Sequence, residues 1–206
     1  IYASGSNQGN NNWDKTVWTQ SIQSYETTFQ QDLDGDGTTG LNLSNLTTAS
    51  GDTNGWLLKK DSKNSLYIVD SNGENIKAVK DDYGGTPNFD YSSNWGSGSS
   101  SSEAIAAEIN SDNTFSIAIK HTHKFGSESN TDWEILTLSN SGVLDWSKSV
   151  WTQSIQPYEK AFGQDLDGDG SQGLNLGNLS SVDTDTYSDV LKKDSNGNFF
   201  ILTEAG

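Results

Sequence analysis

The chain has 206 residues with 12 Lys and Arg against 28 Asp and Glu, a formal charge of −16, and no cysteine. Such acidity repels nucleic acid and anionic membrane, and leaves carboxylates available for hard cations. The lack of cysteine excludes disulfides and thiolate metal sites, and no apolar run approaches the ~18 residues of a membrane span.

Hydrophobic residues make up only 31% of the chain, yet seven Trp, seven Tyr and seven Phe are more anchoring than a disordered segment carries. A folded chain of short strands and many turns follows. Since residue 1 is Ile rather than Met, the expectation is a processed chain or a fragment.

Internal repetition organises everything else. Trp13 to Leu46 aligns without a gap to Trp146 to Leu179 at an offset of 133, with 25 identities in 34 positions. The match continues through Leu58-Lys59-Lys60-Asp61-Ser62 against Leu191-Lys192-Lys193-Asp194-Ser195. Three segments are expected: residues 1–12 as the end of a preceding unit, 13–145 as a complete unit, and 146–206 as a partial second unit.

In chain order, Ile22, Tyr25 and Phe29 fall at i, i+3 and i+7, as do Ile155, Tyr158 and Phe162, and predict a short helix over about 22–31 and again over 155–164. Pro157 sits where a first helical turn tolerates proline, with Ser154 as the expected N-cap. Each helix runs into the acidic loop Asp-Leu-Asp-Gly-Asp-Gly.

After the loop the pattern turns to period two. The segments 56–60, 65–70, 75–80, 103–109, 114–120 and 133–139 read as strands, and the Asn, Asp, Ser and Gly between them read as tight turns of an antiparallel meander. Residues 91–102, poor in apolar groups and rich in Ser and Gly, read as an exposed loop. The fold class is therefore α+β, mainly β, with a short helix and an EF-hand-like or dockerin-like loop at each unit junction.

The chemistry is expected in the loops. Asp32, Asp34 and Asp36 occupy positions 1, 3 and 5 with Gly37 at 6 and a backbone carbonyl from Thr38 at 7; the second copy is Asp165, Asp167, Asp169, Gly170 and Ser171. Calcium takes six to eight oxygens at ~2.3 to 2.6 Å, and a loop so built curls around it, while three carboxylates this close repel one another without a cation. Two Ca²⁺ sites are predicted. Position 12, a bidentate Glu in an EF-hand, is Leu43 or Leu176 here. The remaining oxygens are left to water at Gly40 and Gly173, to Asn42 and Asn175, or to a carboxylate elsewhere in the fold. The bland alternative is an Asp/Gly turn that caps a helix without an ion.

The segments EAIAAEI with TFSIAIK, WEILTLSNSGVLDWSKSVWTQSIQPYE and FGQDLDGDGSQG resemble the tryptophan-rich C-terminal domain found, often in tandem, in large cyanobacterial and other bacterial secreted or surface calcium-binding proteins. The resemblance covers most of the chain and departs where the second unit is incomplete. It implies an extracellular, cell-surface location, calcium loops, and a role in a surface layer, filament or adhesin.

Other candidates are weaker. His121 and His123 would share one side of an extended segment, a spacing that suits zinc, but no third ligand is evident. Trp13, Trp18, Trp56, Trp133, Trp146 and Trp151 recur with the repeat and read as core anchors, whereas Trp95 in the Ser/Gly stretch reads as a glycan or partner contact. No nucleophile and base pair and no phosphate-cradling loop is visible, which points away from an enzyme. The expectation is a calcium-binding structural repeat that stacks with adjacent repeats or other copies of itself, the alternative being a calcium-dependent module for an extracellular glycan.

Overall fold

The computed structural model describes residues 22–51, 55–186, 189–194 and 197–203. The chain forms two compact units, Ile1–Ser154 and Ile155–Gly206. Trp13, Trp18 and the expected stub 1–12 lie outside the described residues.

The first unit holds helix α1 (Gln23–Phe29) and two antiparallel sheets. One sheet runs in the order β1 (Thr47–Gly51), β2 (Trp56–Lys60), β3 (Leu66–Asp70), β4 (Ile76–Ala78). The other runs β5 (Tyr91–Trp95), β6 (Gly98–Ile109), β7 (Phe115–Phe125), β8 (Glu128–Leu138), β9 (Val150–Thr152). The second unit holds α2 (Gln156–Phe162) and a three-stranded antiparallel sheet of β10 (Ser180–Thr184), β11 (Val190–Lys193) and β12 (Phe199–Leu202). The architecture is thus mainly β and antiparallel, and within each sheet every strand lies beside its chain neighbour.

Turn chemistry fixes this meander. Asp61 Oδ1 accepts the backbone N–H of Lys63 and Ser65 at 2.8 and 2.9 Å, and Asn64 beside it takes a positive φ of 62°. Asn113, at φ 63°, donates its N–H to the Asn110 carbonyl at 2.9 Å. Asn and Asp tolerate the left-handed region and bond their own main chain, so both connections close tightly.

The core of the first unit lies between its two sheets. Leu58, Leu66 and Ile68 from the first sheet meet Ala104, Ala107, Phe115, Ile117, Ile119, Leu136 and Leu138 from the second. β3 is buried on both faces: the other side carries Tyr67 and Val69, which pack with Leu46, Leu41 and Leu43. Those three leucines follow the acidic loop directly, so apolar burial on the back of β3 anchors the loop's far end.

The two sheets are also stitched through the main chain. Lys80, just beyond β4, donates its N–H to the Gly142 carbonyl at 2.9 Å and accepts the N–H of Leu144 at 2.8 Å. A Cβ at Gly142 would lie 2.5 Å from the Ala78 carbonyl oxygen, so only glycine permits the approach.

Several expectations are corrected. Residues 91–102 are not a loop: Tyr91 to Trp95 pairs with Gly98 to Ser102 as a hairpin. Its buried rows are polar, with Ser100 bonded to His123 Nδ1 at 3.1 Å and Ser102 to the Phe89 carbonyl, so no apolar alternation marked it. Ser154 does not cap α2. The N-cap is Ile155, without a side-chain bond, and Ser154 instead accepts from and donates to Thr152 Oγ1. The helices are shorter than predicted because Gln30 and Gly163 turn left-handed at their ends. Phe29 is 43% exposed, unlike Phe162 at 1%.

Among the tryptophans, Trp133 is buried and Trp56 packs edge-on against Phe115, but Trp146 and Trp151 are exposed. Trp151 lies on the short edge strand β9 with its ring 4.5 Å from that of His121, which covers the imidazole rather than filling a core. Because β9 pairs with β8, the head of the second sequence repeat belongs to the first compact unit.

Gln30 holds φ 54° where its counterpart is Gly163 at φ 62°. A side chain in the left-handed region costs roughly 1 kcal/mol that glycine avoids. Gln30→Gly should raise the stability of the first unit by about 0.5 to 1 kcal/mol and Gly163→Ala should lower that of the second, read from urea midpoints.

Candidate metal centre

Each acidic loop is built around a buried glutamate one helical turn inside the preceding helix. Glu26 Oε1 accepts the N–H of Leu33 at 2.7 Å and of Asp34 at 3.0 Å, and Oε2 accepts the N–H of Gly40 at 2.9 Å. Glu159 repeats this with Leu166, Asp167 and Gly173 at 2.7, 3.0 and 2.8 Å. Both glutamates are wholly buried. Three charge-assisted bonds satisfy a carboxylate that would otherwise be costly inside, and they clamp the two ends of the loop to one helix.

Within the loop the aspartates wind the backbone onto themselves. Asp32 takes the N–H of Gly35 on Oδ1 at 2.6 Å and of Gly37 on Oδ2 at 2.9 Å. Asp165 does the same with Gly168 at 2.7 Å and Gly170 at 2.8 Å. Asp34 and Asp167 accept from the residue two ahead, at 3.0 Å in each case. Asp36 Oδ1 accepts both the N–H and the hydroxyl of Thr38 at 2.9 and 2.6 Å, and Asp169 Oδ1 accepts the Ser171 N–H at 2.9 Å. Gly37 and Gly170, both at φ 88°, supply the sharp turn that position 6 requires.

The result is a trio of carboxylates in each unit, Glu26 with Asp32 and Asp34, and Glu159 with Asp165 and Asp167, each with ligand oxygens within 4.8 Å of one another. Either trio could hold a metal ion, and they are the two such groups among the described residues. Asp36 and Asp169 stand beside them: Asp36 Oδ2 accepts Nε2 of Gln23 and Nδ2 of Asn45, both at 3.4 Å, and Asp169 Oδ2 accepts Nε2 of Gln156 at 3.1 Å.

The charges feel these surroundings. Thr38's hydroxyl and N–H hold Asp36 below the usual carboxylate range, and the Gly170 N–H, with lesser help from Gly168 and Asp169, does so for Asp165. Burial pushes Asp167 up, and the neighbouring Asp169 and Asp165 charges add to it. One site thus places a carboxylate that resists ionisation beside one that favours it.

Asn42 and Asn175 are tied into the structure: each accepts a backbone N–H two residues ahead, at 3.1 Å, to start a single 3-10 turn, and Asn175 Nδ2 reaches the Asp169 carbonyl at 3.2 Å. Gly40 and Gly173 spend their N–H on the buried glutamates.

His121 and His123 do not form a third centre. His121 Nε2 lies 3.5 Å from Glu134 and His123 Nε2 lies 3.9 Å from Asp132, separate pairs along β7 and β8. Burial, with the His123 charge adding to it, holds His121 below its usual pKa. Trp95 stands at the tip of the β5–β6 hairpin, half exposed, its indole Nε1 2.7 Å from where a Cβ on Gly98 would be.

Glu26 and Glu159 were not anticipated as site residues, though a signal existed. Residues 22, 25, 26 and 29 are i, i+3, i+4 and i+7, so Glu26 is an acid on the inward stripe of its helix, and the second copy agrees.

No helix among the described residues is long and apolar enough to cross a membrane. Comparison with protein-family models, curated proteins and solved structures finds no match to the chain.

Glu26→Gln keeps the volume but turns an acceptor of three main-chain N–H groups into a partial donor. It should cost the first unit about 2 kcal/mol or more in urea unfolding, because a buried charged hydrogen-bond hub is lost. An unchanged midpoint would remove the clamp from the account.

Proposed function

We propose that each acidic loop binds one calcium ion and that the chain is a calcium-rigidified structural repeat of a secreted bacterial surface protein. In this reading it has no catalytic role, and it builds a surface layer, filament or adhesin by stacking with neighbouring repeats or other copies of itself.

The observation that carries the reading is duplication of one construction. The buried-glutamate clamp, the self-wound aspartates and the oxygen trio recur at an offset of 133, with bond lengths that agree within about 0.1 Å for the clamp. The donor set is all oxygen, without His or Cys, which suits a hard cation such as calcium over zinc. The loops also follow the 1, 3, 5, 6 spacing of known calcium loops, and the resemblance to the tryptophan-rich domain of bacterial surface proteins points the same way.

With position 12 occupied by leucine, the affinity belongs with extracellular modules, near ~10⁻⁴ to 10⁻³ M. At ~10 mM calcium, mass action then adds about 1.4 to 2.7 kcal/mol per site. Thermal melting should rise by several degrees in CaCl₂ and return with EGTA, and Asp32→Asn with Asp165→Asn should abolish the rise. Particle size by light scattering should fall on chelation if the ion orders the stacking. Melting curves and sizes indifferent to both reagents would defeat the reading.

A second reading, a glycan-binding module, draws on one place. Trp95, Gly98 and Phe125 lie in one row across β5, β6 and β7, and both aromatics are exposed, at 46% and 67%. Residues directly opposite share a face, so the glycine lets an aromatic platform form that a sugar ring could stack on. Loss of glycan-array binding on Trp95→Ala, with the melting temperature unchanged, would favour it; an array silent for the unaltered chain would dismiss it.

A further inference from the structure

Calcium takes six to eight oxygens, and the EF-hand's closing glutamate is replaced here by Leu43 or Leu176. Something else must complete the shell. Among the groups at equivalent positions in both units is the glutamine that begins each helix, Gln23 and Gln156.

Three observations single out this residue. First, its amide is aimed into the acidic loop, with Nε2 3.4 Å from Asp36 Oδ2 in one unit and 3.1 Å from Asp169 Oδ2 in the other. Gln156 also bonds the Asp167 carboxylate. Second, its carboxamide oxygen is sealed from solvent without any hydrogen-bond partner, in both units, and Gln23 as a whole is only 9% exposed. A buried amide oxygen left unbonded costs roughly 1 to 3 kcal/mol, and here it occurs twice at equivalent places. Third, the glutamine lines a cavity with the oxygen-bearing side chains of Asp34, Asp36, Asn45 and Asp61, its remaining wall being Ile22, Ser62 and Lys63. The cavity of the second unit shares five of these positions 133 residues on, Gln156, Asp167, Asp169, Asn178 and Asp194.

We infer that Gln23 and Gln156 are ligands, each turning its carboxamide over so that Oε1 joins the neighbouring aspartates on the bound ion. This rests on the reading of the two loops as calcium sites.

The distances suit the assignment. Two oxygens bound to one calcium at ~2.4 Å lie about 2.8 to 3.4 Å apart for bond angles between 72° and 90°. The amide and aspartate atoms already stand at 3.4 and 3.1 Å. A half-turn of the amide exchanges N for O with almost no change in shape, so no other atom has to move. Beside a bare carboxylate the amide presents its NH₂; beside a carboxylate that shares a cation it presents oxygen. The turn gives up the N–H···O bond to Asp36 in the first unit, and those to Asp169 and Asp167 in the second, and breaks no bond of the oxygen, which makes none.

The test separates a ligand from a hydrogen-bond donor by the sign of one substitution. The full chain is titrated with CaCl₂ by isothermal calorimetry, unaltered and with Gln23→Glu or Gln23→Met. If the oxygen is a ligand, glutamate supplies a better one and calcium binds the first unit as tightly or up to about tenfold more tightly, while methionine, without oxygen, weakens it tenfold or more. If the glutamine only donates to Asp36, glutamate repels its neighbour, weakens binding as much as methionine does, and the inference is overturned. Gln156→Glu and Gln156→Met repeat the comparison in the second unit, so a misfolded variant in one unit still leaves a decisive pair. An unaltered chain that takes up no calcium would sink the calcium reading itself, an outcome distinct from failure of the glutamine assignment alone.

Discussion

A single carboxylate buried beneath each loop is the constraint that the candidate site depends on. Glu26 and Glu159 are wholly enclosed, and each gathers three main-chain N–H groups from points 7, 8 and 14 residues further along the chain. A loop of small polar residues has little apolar surface with which to order itself. The enclosed charge substitutes for a core: its desolvation is tolerable only while all three donors point at it, so the loop's path is all but dictated by one side chain.

That arrangement joins the site to the sheet. The clamp ends at Gly40, and the next residues, Leu41, Leu43 and Leu46, bury themselves with Tyr67 and Val69 on the back of β3. The front of β3, through Leu66 and Ile68, belongs to the main core. One strand therefore carries hydrophobic load on both faces, and the loop's exit is fixed by it. The loop is held by electrostatics on the helix side and by apolar packing on the strand side.

Much of this was legible in the sequence because it rests on periodicity. The strands around Leu58, Ile68, Ile117 and Leu136 stand out as apolar, β-branched or aromatic runs of strand length, and the turns at Asp61 and Asn113 carry residues with a mechanism for turning. The hairpin from Tyr91 to Ser102 was illegible because its buried residues are Ser100 and Ser102, bonded to His123 and to the Phe89 carbonyl, and polar residues leave no hydrophobic signature. Trp146 and Trp151 misled for the opposite reason: an aromatic reads as core, yet on the edge strand β9 and the turn before it the rings lie over single neighbours, His121 and Phe89. At the site, the aspartates declare themselves by spacing. The clamp and the helix-starting glutamine act through contacts that only folding creates.

The contact of Lys80 with Gly142 and Leu144 bears on how the first unit would respond to pulling. Sheets that meet only through side chains can slide, since an apolar interface resists separation more than it resists shear. Here two peptide hydrogen bonds cross from one sheet to the other, at a point where a glycine lets the backbones nearly touch. Tension arriving along one sheet would have a main-chain route to the other, which would favour yielding of the sandwich as one body. Any side chain at position 142 would wedge that seam open and leave two layers free to creep.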